Sequence, residues 1–290
     1  MKHPDAHTKL YCLFGKPATH SLSPAMHNAA FEESGSNALY LAFEPTGIQD
    51  AVHSMRTLPI YGASVTIPYK TEVMEYIDTI DPLAREIGAV NTLVNHDGSI
   101  TGYNTDGQGA LRALDEHAVE TRGRHVLILG NGGAARAIAF TLLREGSRIT
   151  IAGRNIENIR RLARDLRVHH PDVEYIGLAG VTADFTHSVD VIINTTPVGM
   201  TPDISSSPLD ESVIHSENAI MDIVYRPQTT QLLHISKGKG CAVVPGVEML
   251  FYQGIRQFEL WTGMPAPVKV MRNALEGGIA AEETIKNLEI

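Results

Sequence analysis

The chain is poor in cysteine, with only Cys12 and Cys241 among its 290 residues. Two thiols are too few for the disulfide framework of a secreted domain, so the composition favours a reducing, cytoplasmic environment. Residues 1–10 are polar and lack an apolar segment, and we therefore expect no signal peptide. No run approaches the ~20 apolar residues that cross a bilayer, so we expect no membrane partner.

Positive charge is also scarce, because 24 Lys and Arg residues face 33 Asp and Glu residues, for a net charge of −9. Proteins that bind duplexes normally have a basic excess, so we expect no nucleic-acid partner. The 13 histidines are scattered, and His169-His170 lacks a third ligand at metal spacing, so we expect no metal. The remaining composition, 43% hydrophobic and 20% charged, is that of an ordinary globular protein. The length predicts two domains.

Short apolar runs alternate with stretches of helical periodicity, a pattern typical of an α/β fold. In the first hundred residues, strands are predicted at 10–14, 38–43, 62–66 and 90–94, and helices at 24–33, 48–56 and 71–77. Ser23 is expected to cap the first helix, and Asp97-Gly98 predicts a turn. A second series of strands, buried on both faces, is predicted at 125–129, 148–152, 173–178, 189–194, 219–224 and 241–244.

Only helical patterns follow residue 245, at 248–260 and 267–286. These helices have no obvious place in the second series of strands, so we expect them to return to the first domain. The predicted domains are therefore residues 1–106 completed by 247–290, and residues 107–246.

A glycine-rich turn follows the strand at 125–129. It has the pattern G-x-G-x-x-A, and its residues are Gly130, Asn131, Gly132, Gly133, Ala134 and Ala135. A helix predicted at 137–143 comes next and ends at Gly146. Small residues at such a turn let a pyrophosphate approach the backbone and meet the N–H groups of the helix N-terminus. The pattern predicts a Rossmann-type dinucleotide-binding domain, and the alternative is a tight turn without a ligand.

The end of the next strand bears on which dinucleotide is bound. An NAD site usually has a carboxylate there, whereas this chain has Gly153-Arg154-Asn155. The Arg154 guanidinium is suited to a 2′-phosphate, which predicts NADP as the cofactor. The alternatives are that Arg154 is a solvated loop residue and that Asn155 only caps the following helix.

Three polar stretches occur where the pattern predicts loops. They are residues 15–24, residues 64–70, and residues 88–92 taken with 104–107. Together they contain hydroxyls, an amide, an ammonium and a carboxylate. Such a set of groups is suited to bind a small polyhydroxylated acid.

These stretches carry motifs by which the chain resembles the shikimate dehydrogenase family over nearly its whole length. The motifs are F-G-x-P-x-x-H-S-x-S-P at 14–24, V-T-x-P-x-K at 65–70, G-A-V-N-T at 88–92, N-T-D-G at 104–107 and G-x-G-G-A-x-R at 130–136. The resemblance implies an N-terminal α/β substrate domain, completed by C-terminal helices, and a Rossmann NADP domain. It also implies NADP-dependent reduction of 3-dehydroshikimate to shikimate in chorismate and aromatic amino acid biosynthesis. The oligomeric state is left open by the sequence, with a homodimer as one alternative.

The resemblance assigns Lys70 and Asp106 as the catalytic pair. Hydride transfer to a ketone creates an alkoxide, which needs a proton donor and a positive charge beside it. The alternative is an exposed Lys70 at a helix N-terminus. The substrate residues implied are Ser21, Ser23, Thr66, Asn91, Asp106, Tyr225 and Gln253. The cofactor residues implied are Gly130, Asn131, Gly132, Gly133, Ala134, Arg154, Asn155, Thr195, Ile223 and Gly246.

Other interpretations of these residues remain open. Ser21 and Ser23 are alternatively helix caps, while Tyr225 and Gln253 are alternatively core residues that satisfy buried hydrogen bonds. His20 is expected to order its loop.

The chain departs from the family pattern at two positions, with Ser64 where many relatives have Asn and Asn158 where many have a second arginine. A single arginine weakens the case for strict NADP use, so an NAD-using quinate/shikimate dehydrogenase is the closest alternative. Ser23 favours shikimate, since relatives adapted to quinate often have Thr there. A second alternative enzyme is methylenetetrahydrofolate dehydrogenase, but the paired serines Ser21 and Ser23 would have no role in it. A non-catalytic dinucleotide sensor is expected to have lost Lys70 or Asp106.

Overall fold

The computed structural model describes residues 4–19 and 21–288, with side chains described up to residue 280. His20 lies outside the described residues. The chain divides into two compact units, which are residues 1–105 with 253–290 (unit 1) and residues 106–252 (unit 2). Within the described part of the chain, no helix is long and apolar enough to cross a membrane.

Unit 1 is built on a mixed sheet. Its strands are β1 (Lys9–Phe14), β2 (Ala38–Phe43), β3 (Ile60–Val65), β4 (Thr79–Ile80), β5 (Thr92–His96) and β6 (Ser99–Tyr103). They lie in the order β2-β1-β3-β5-β6-β4. β1 is parallel to both β2 and β3, whereas β5 is antiparallel to β3 and β6.

The helices of unit 1 cover both faces of this sheet. They are α1 (Ser23–Glu33), α2 (Ile48–Thr57), α3 (Pro82–Ile87) and α10 (Val268–Leu288). Cys12 and Phe14 pack with Val52 and Met55 of α2 on one face. Successive strand residues point to opposite faces, and Tyr11 accordingly contacts Phe31 of α1 on the other face, with ring centroids 4.9 Å apart. The C-terminal helix α10 packs against α1.

Several local expectations for unit 1 were wrong. Ser23 is not the cap of α1, because the helix begins at Ser23 itself, after Leu22. The helix predicted at 71–77 is only a short 3-10 helix, Glu72–Glu75. The strand predicted from residue 90 begins at Thr92, since the Val90 amide donates to the Lys70 carbonyl instead of joining the sheet. The predicted turn at Asp97-Gly98 is confirmed and joins β5 to β6, with positive φ at both residues.

Unit 2 contains a parallel sheet. Its strands are β7 (His125–Leu129), β8 (Arg148–Gly153), β9 (Glu174–Gly177), β10 (Val191–Asn194), β11 (Ala219–Asp222) and β12 (Ala242–Pro245). They lie in the order β12-β11-β10-β7-β8-β9 and pair in parallel. This is the Rossmann order, with the reversal between β7 and β10. The predicted α/β fold with a Rossmann domain is therefore confirmed.

The helices of unit 2 include α4 (Asp106–Glu116), α5 (Gly133–Arg144), α6 (Ile156–Arg167), α7 (Ala183–Thr186) and α8 (Gln231–Gly238). A further helix, α9 (Gly246–Thr262), begins in unit 2 and ends in unit 1. The predicted stop at Gly146 is confirmed. The Gly146 and Ser147 amides donate to the Leu143 and Leu142 carbonyls at 3.0 and 2.9 Å, which is a Schellman motif. Strand β9 lies at the sheet edge and is only partly buried, contrary to expectation.

Candidate functional site

The first two polar stretches meet at the carboxyl ends of β1 and β3. The Thr66 amide donates to the Phe14 carbonyl at 2.9 Å, and the Lys16 amide donates to the Ile67 carbonyl at 2.8 Å. Because β1 and β3 are parallel neighbours, the loops that follow them leave the same edge of the sheet. Thr66 is half-buried in this arrangement.

Lys70 is the last residue of the second polar stretch, and its main chain is bonded to the third. Its carbonyl accepts from the Val90 amide at 2.7 Å, and the Val65 amide donates to the Asn91 carbonyl at 2.8 Å. The Lys70 residue is half-buried and precedes the short 3-10 helix, so the reading as an exposed lysine is wrong. These backbone bonds fix the main chain on which Lys70 and Asn91 stand.

A buried amide cluster surrounds Asn91. Its Nδ2 donates to Thr105 Oγ1 at 2.9 Å and to Gln253 Oε1 at 3.4 Å, while the Thr105 amide donates to Asn91 Oδ1 at 2.9 Å. The structure therefore brings together two of the substrate residues implied by the resemblance, Asn91 directly before β5 and Gln253 on α9. Thr105 is a member that sequence reasoning did not assign, although it is the second residue of the N-T-D-G motif.

The two serines lie at the start of α1. Ser21 Oγ accepts from the Ser23 amide at 3.2 Å, so Ser21 satisfies the first N–H of the helix. The N-cap position of α1 is Leu22, so Ser21 supports the start of the helix from the residue before the cap. Ser23 is buried and does not cap α1, which leaves its proposed contact with a substrate carboxylate as a prediction.

Asp106 is the first residue of α4 in unit 2 and is 3% exposed. The next residue, Gly107, lies directly against α5. A methyl group at Gly107 would fall on the Thr141 hydroxyl and lie 2.6 Å from the Ala137 carbonyl oxygen. The glycine of the N-T-D-G motif is thus required for α4 to pack closely against α5, which positions the start of α4 and with it Asp106.

We expect Gly107→Ala to destabilise unit 2 by about 1–3 kcal/mol, the usual cost of overpacking a tight contact. Chemical denaturation followed by fluorescence measures this change. Gly238→Ala is the matched control, because nothing lies within 4 Å of a methyl group at that glycine. Equal stability of Gly107→Ala and the control would contradict the close-packing explanation.

The carboxyl edge of the unit 2 sheet holds the glycine-rich turn. Gly130 has φ +117°, and a methyl group there would lie 2.6 Å from Thr195 Oγ1. Thr195 donates from its amide and its hydroxyl to the Leu129 carbonyl, at 2.9 and 2.6 Å. These contacts join the ends of β7 and β10. Open α/β sheets bind ligands at such a switch point.

The N-terminus of α5 fits a pyrophosphate. Gly132 is the residue that precedes the helix, and no described side chain caps it. A methyl group at Gly132 would meet nothing within 4 Å, and Asn131 beside it is exposed. The first N–H groups of α5, at Gly133 and Ala134, have no carbonyl partner within the helix, which suits them to bind a phosphate.

Arg154 and Asn155 follow β8 on the same edge. Arg154 is exposed and makes no hydrogen bond or ion pair with any side chain that the structure describes. Asn155 Oδ1 accepts from the Glu157 and Asn158 amides at 3.1 and 3.2 Å, which confirms its role as the cap of α6. A contact of Asn155 with the cofactor stays a prediction.

The ends of β11 and β12 complete this edge. The Ile223 amide donates to the Asn194 carbonyl at 3.0 Å, and a methyl group at Gly246 would lie 2.5 Å from the Ile223 carbonyl. The structure therefore brings together three predicted cofactor residues, Thr195, Ile223 and Gly246. Tyr225 follows two residues after Ile223 and is half-buried.

A buried carboxyl at the end of β11, Asp222, was not predicted from the sequence. It accepts from Asn194 Nδ2 at 2.9 Å, the Val224 amide at 3.0 Å and Thr230 Oγ1 at 2.7 Å. Burial raises the pKa of Asp222 to about 6, against the three hydrogen bonds, which lower it. Asp222 thus ties the loop after β10 to the loop after β11.

The raised pKa of Asp222 predicts a pH-dependent stability. Because the folded pKa lies above the ordinary value of 3.8, the fold favours the protonated Asp222 carboxyl. The resulting stabilisation is complete below about pH 3.8 and is lost as pH rises through about 6. The difference between the two pKa values corresponds to about 3 kcal/mol in the free energy of unfolding. We expect Asp222→Asn to flatten this part of the unfolding profile, measured in urea from about pH 4 to 7. Exposed Asp172→Asn is the control, and parallel profiles for wild type and Asp222→Asn would contradict the assignment.

Comparison with known proteins places these features in a family. Residues 13–93 match the shikimate dehydrogenase substrate binding domain, residues 113–226 match shikimate / quinate 5-dehydrogenase, and residues 246–276 match the shikimate 5'-dehydrogenase C-terminal domain.

Individual relatives match over almost the whole chain. An NADP(+) shikimate dehydrogenase of Moorella thermoacetica is 42% identical over 95% of both chains. That of Methanopyrus kandleri is 46% identical over 93% of this chain and 96% of its own. A crystal structure of a shikimate dehydrogenase in complex with NADP+ superposes with a TM-score of 0.89, at 39% identity over 95% of this chain and 97% of that one. The resemblance predicted from the motifs is confirmed: the chain belongs to the shikimate dehydrogenase family.

Proposed function

We propose that the chain catalyses the reversible, NADP-dependent reduction of 3-dehydroshikimate to shikimate, a step in chorismate and aromatic amino acid biosynthesis. The observation that carries this proposal is the full-length similarity to NADP(+) shikimate dehydrogenases. Two features of the structure also support the proposal, the Asn91 cluster in unit 1 and the glycine-rich turn in unit 2.

The substrate is proposed to bind through side chains that donate hydrogen bonds to it and side chains that accept hydrogen bonds from it. The hydroxyls of Ser21 and Ser23 are assigned to its carboxylate. Thr66, Asn91, Asp106, Tyr225 and Gln253 are assigned to its ring hydroxyls. Support comes from the burial of Asn91 and Gln253 and from their mutual hydrogen bond, because a rigid amide pair holds its donors and acceptors at fixed positions.

The reaction is proposed to need a proton at the carbonyl oxygen of the substrate. The bound nicotinamide supplies the hydride. Lys70 donates the proton to the oxygen as negative charge develops there, and its positive charge stabilises that oxygen. Asp106 holds the substrate hydroxyl and the ammonium in place. In the reverse direction Lys70 takes the proton from the shikimate hydroxyl.

NADP is proposed to lie along the carboxyl edge of the unit 2 sheet. The pyrophosphate is assigned to the N-terminus of α5, where Asn131, Gly132, Gly133 and Ala134 stand. The 2′-phosphate is assigned to Arg154, with Asn155 beside it. Thr195, Ile223 and Gly246 are assigned to the nicotinamide side because they meet beyond the ends of β10, β11 and β12.

The predicted division of labour also belongs to this proposal. Residues 1–106 with 247–290 form the substrate-binding catalytic domain, and residues 107–246 form the NADP domain. We place the enzyme in the cytoplasm, which two free and buried thiols, Cys12 and Cys241, support. A homodimer stays a prediction, which sedimentation analysis of the purified protein decides.

A four-way steady-state assay tests the function. Shikimate and quinate are each offered with NADP and with NAD, and absorbance of the reduced nicotinamide is followed. We expect shikimate with NADP to give the highest kcat/KM by at least about tenfold. Comparable rates with quinate or NAD would favour the quinate/shikimate dehydrogenase alternative. No turnover in any of the four combinations would refute a dehydrogenase of this class.

A further inference from the structure

A chain of buried hydrogen bonds leads from β2 through β3 and α9 to the Asn91 cluster. Tyr40 Oη on β2 donates to Ser64 Oγ on β3 at 2.7 Å, and Ser64 Oγ donates to Gln257 Oε1 on α9 at 2.8 Å. Tyr40, Ser64 and Gln257 are 0%, 5% and 1% exposed, so water does not compete for these bonds.

Gln257 connects this chain of hydrogen bonds to Asn91 and Thr92. Its Nε2 donates to Thr92 Oγ1 at 3.0 Å and to the Asn91 carbonyl at 3.2 Å. The Thr92 hydroxyl accepts from Gln257, and its own proton goes to Asn91 Oδ1 at 2.8 Å. The Ser64 and Thr92 hydroxyls therefore each accept one hydrogen bond and donate another, and the bonds run in one direction from Tyr40 to Asn91.

The direction matters because a side-chain amide has a donor end and an acceptor end of nearly the same shape. The Thr92 proton and the Thr105 amide both point to Asn91 Oδ1, which leaves Asn91 Nδ2 to donate to Gln253 Oε1. Gln253 thereby has its oxygen turned toward Asn91 and its Nε2 turned away. Rotation of either amide by 180° would set donor against donor or acceptor against acceptor.

We propose that Gln257, with Ser64 and Tyr40 behind it, is a positioning residue for substrate recognition. It fixes the donor and acceptor ends of the Asn91 and Gln253 amides, and so selects the pattern of ring hydroxyls that the site accepts. The inference rests on the proposed function, which makes Asn91 and Gln253 substrate ligands. Gln257 itself acts only through them.

The direct test is Gln257→Glu, which keeps the shape of the side chain but turns the donor atom into an acceptor facing Thr92 Oγ1 and the Asn91 carbonyl. We expect the KM for shikimate to rise about tenfold, a change of about 1.4 kcal/mol. The KM for NADP is expected to stay within about twofold of the wild-type value. A general loss of structure would move both constants together, so the split between them separates positioning from folding.

A second variant guards against misfolding of the first. Ser64→Ala removes one hydroxyl and leaves Gln257 Oε1 without its donor, and we expect a KM rise for shikimate of about threefold or more. Arg256→Ala is the matched control. It neighbours Gln257 on α9 but is exposed, and its ion pair among the described side chains is with Glu259, so we expect wild-type constants.

The outcomes separate the two proposals. If wild type turns over shikimate and both Gln257→Glu and Ser64→Ala keep its KM within about twofold, the positioning role is refuted and the function stands. A parallel change in kcat, both KM values and Tm would refute it too. If wild type does not turn over shikimate, the proposed function fails and this inference fails with it.

Discussion

Lys70→Ala is expected to lower kcat for shikimate oxidation by about 10²–10⁴-fold, the usual contribution of a positioned acid or base. Lys70 is half-buried, and its main chain is held by the Val90 amide at 2.7 Å. Alanine removes both the proton donor and the positive charge beside the substrate oxygen, and water cannot replace the charge. The KM for NADP is expected to change little, since the assigned cofactor residues lie in unit 2.

Stopped-flow and steady-state absorbance measure this loss, with Lys237→Ala as the control. Lys237 is an exposed lysine at the end of α8, and its replacement changes net charge by the same amount. If Lys70→Ala retained more than about a tenth of wild-type kcat, the assignment of Lys70 as the acid–base group would be wrong.

Arg154→Ala is expected to raise the KM for NADP by about 10–150-fold while the KM for NAD changes less than about twofold. A hydrogen bond to a charged group contributes about 1.5–3 kcal/mol, and the 2′-phosphate is the group that NAD lacks. Arg154 is exposed and makes no bond within the described structure, so its guanidinium is available to a ligand.

Arg161→Ala controls for the general positive field of this region. Arg161 is another exposed arginine, on α6, and its replacement removes the same charge. Binding of both dinucleotides is measured by calorimetry with all three proteins. Equal losses for NADP and NAD in Arg154→Ala, or equal losses in the two variants, would contradict a direct contact with the 2′-phosphate.

The glycine-rich turn at the carboxyl edge of the unit 2 sheet could be predicted because its signals are local. A buried strand, the glycines, and a helix with Gly146 beyond its end occupy one continuous stretch of sequence. The structure confirms the strand and the end of the helix, while the helix begins at Gly133 and not at 137. Asn155 likewise caps the helix that begins beside it. Patterns of this kind depend on neighbours a few residues away, which a sequence displays directly.

The elements that the sequence analysis did not predict include β4 and α3, which are both short, and the start of β5 was misplaced. β4 has two residues and pairs with β6, so its own sequence carries little signal. α3 has six residues, although Asp81 caps it and Gly88 ends it with φ +72°. The start of β5 is set by backbone bonds from Val90 and Asn91 to other segments, and such pairings have no pattern along the chain.

The same reason explains which site residues were missed. Gln257 meets Ser64 across 193 positions, and Asp222 meets Asn194 across 28. Neither residue belongs to a motif quoted for the family, and a buried polar side chain is recognised only when its partners are known. Thr105 lies inside a motif, but only its contact with Asn91 shows that it supports the amide cluster.

The most direct test of the central claim is the biosynthetic reaction itself. The purified protein is incubated with NADPH and 3-dehydroshikimate, and the product is identified by NMR while NADPH consumption is followed. The account predicts one shikimate formed for each NADPH oxidised, and at most about a hundredth as much with Lys70→Ala over the same period. NADPH left unconsumed, or consumed without the appearance of shikimate, would contradict it.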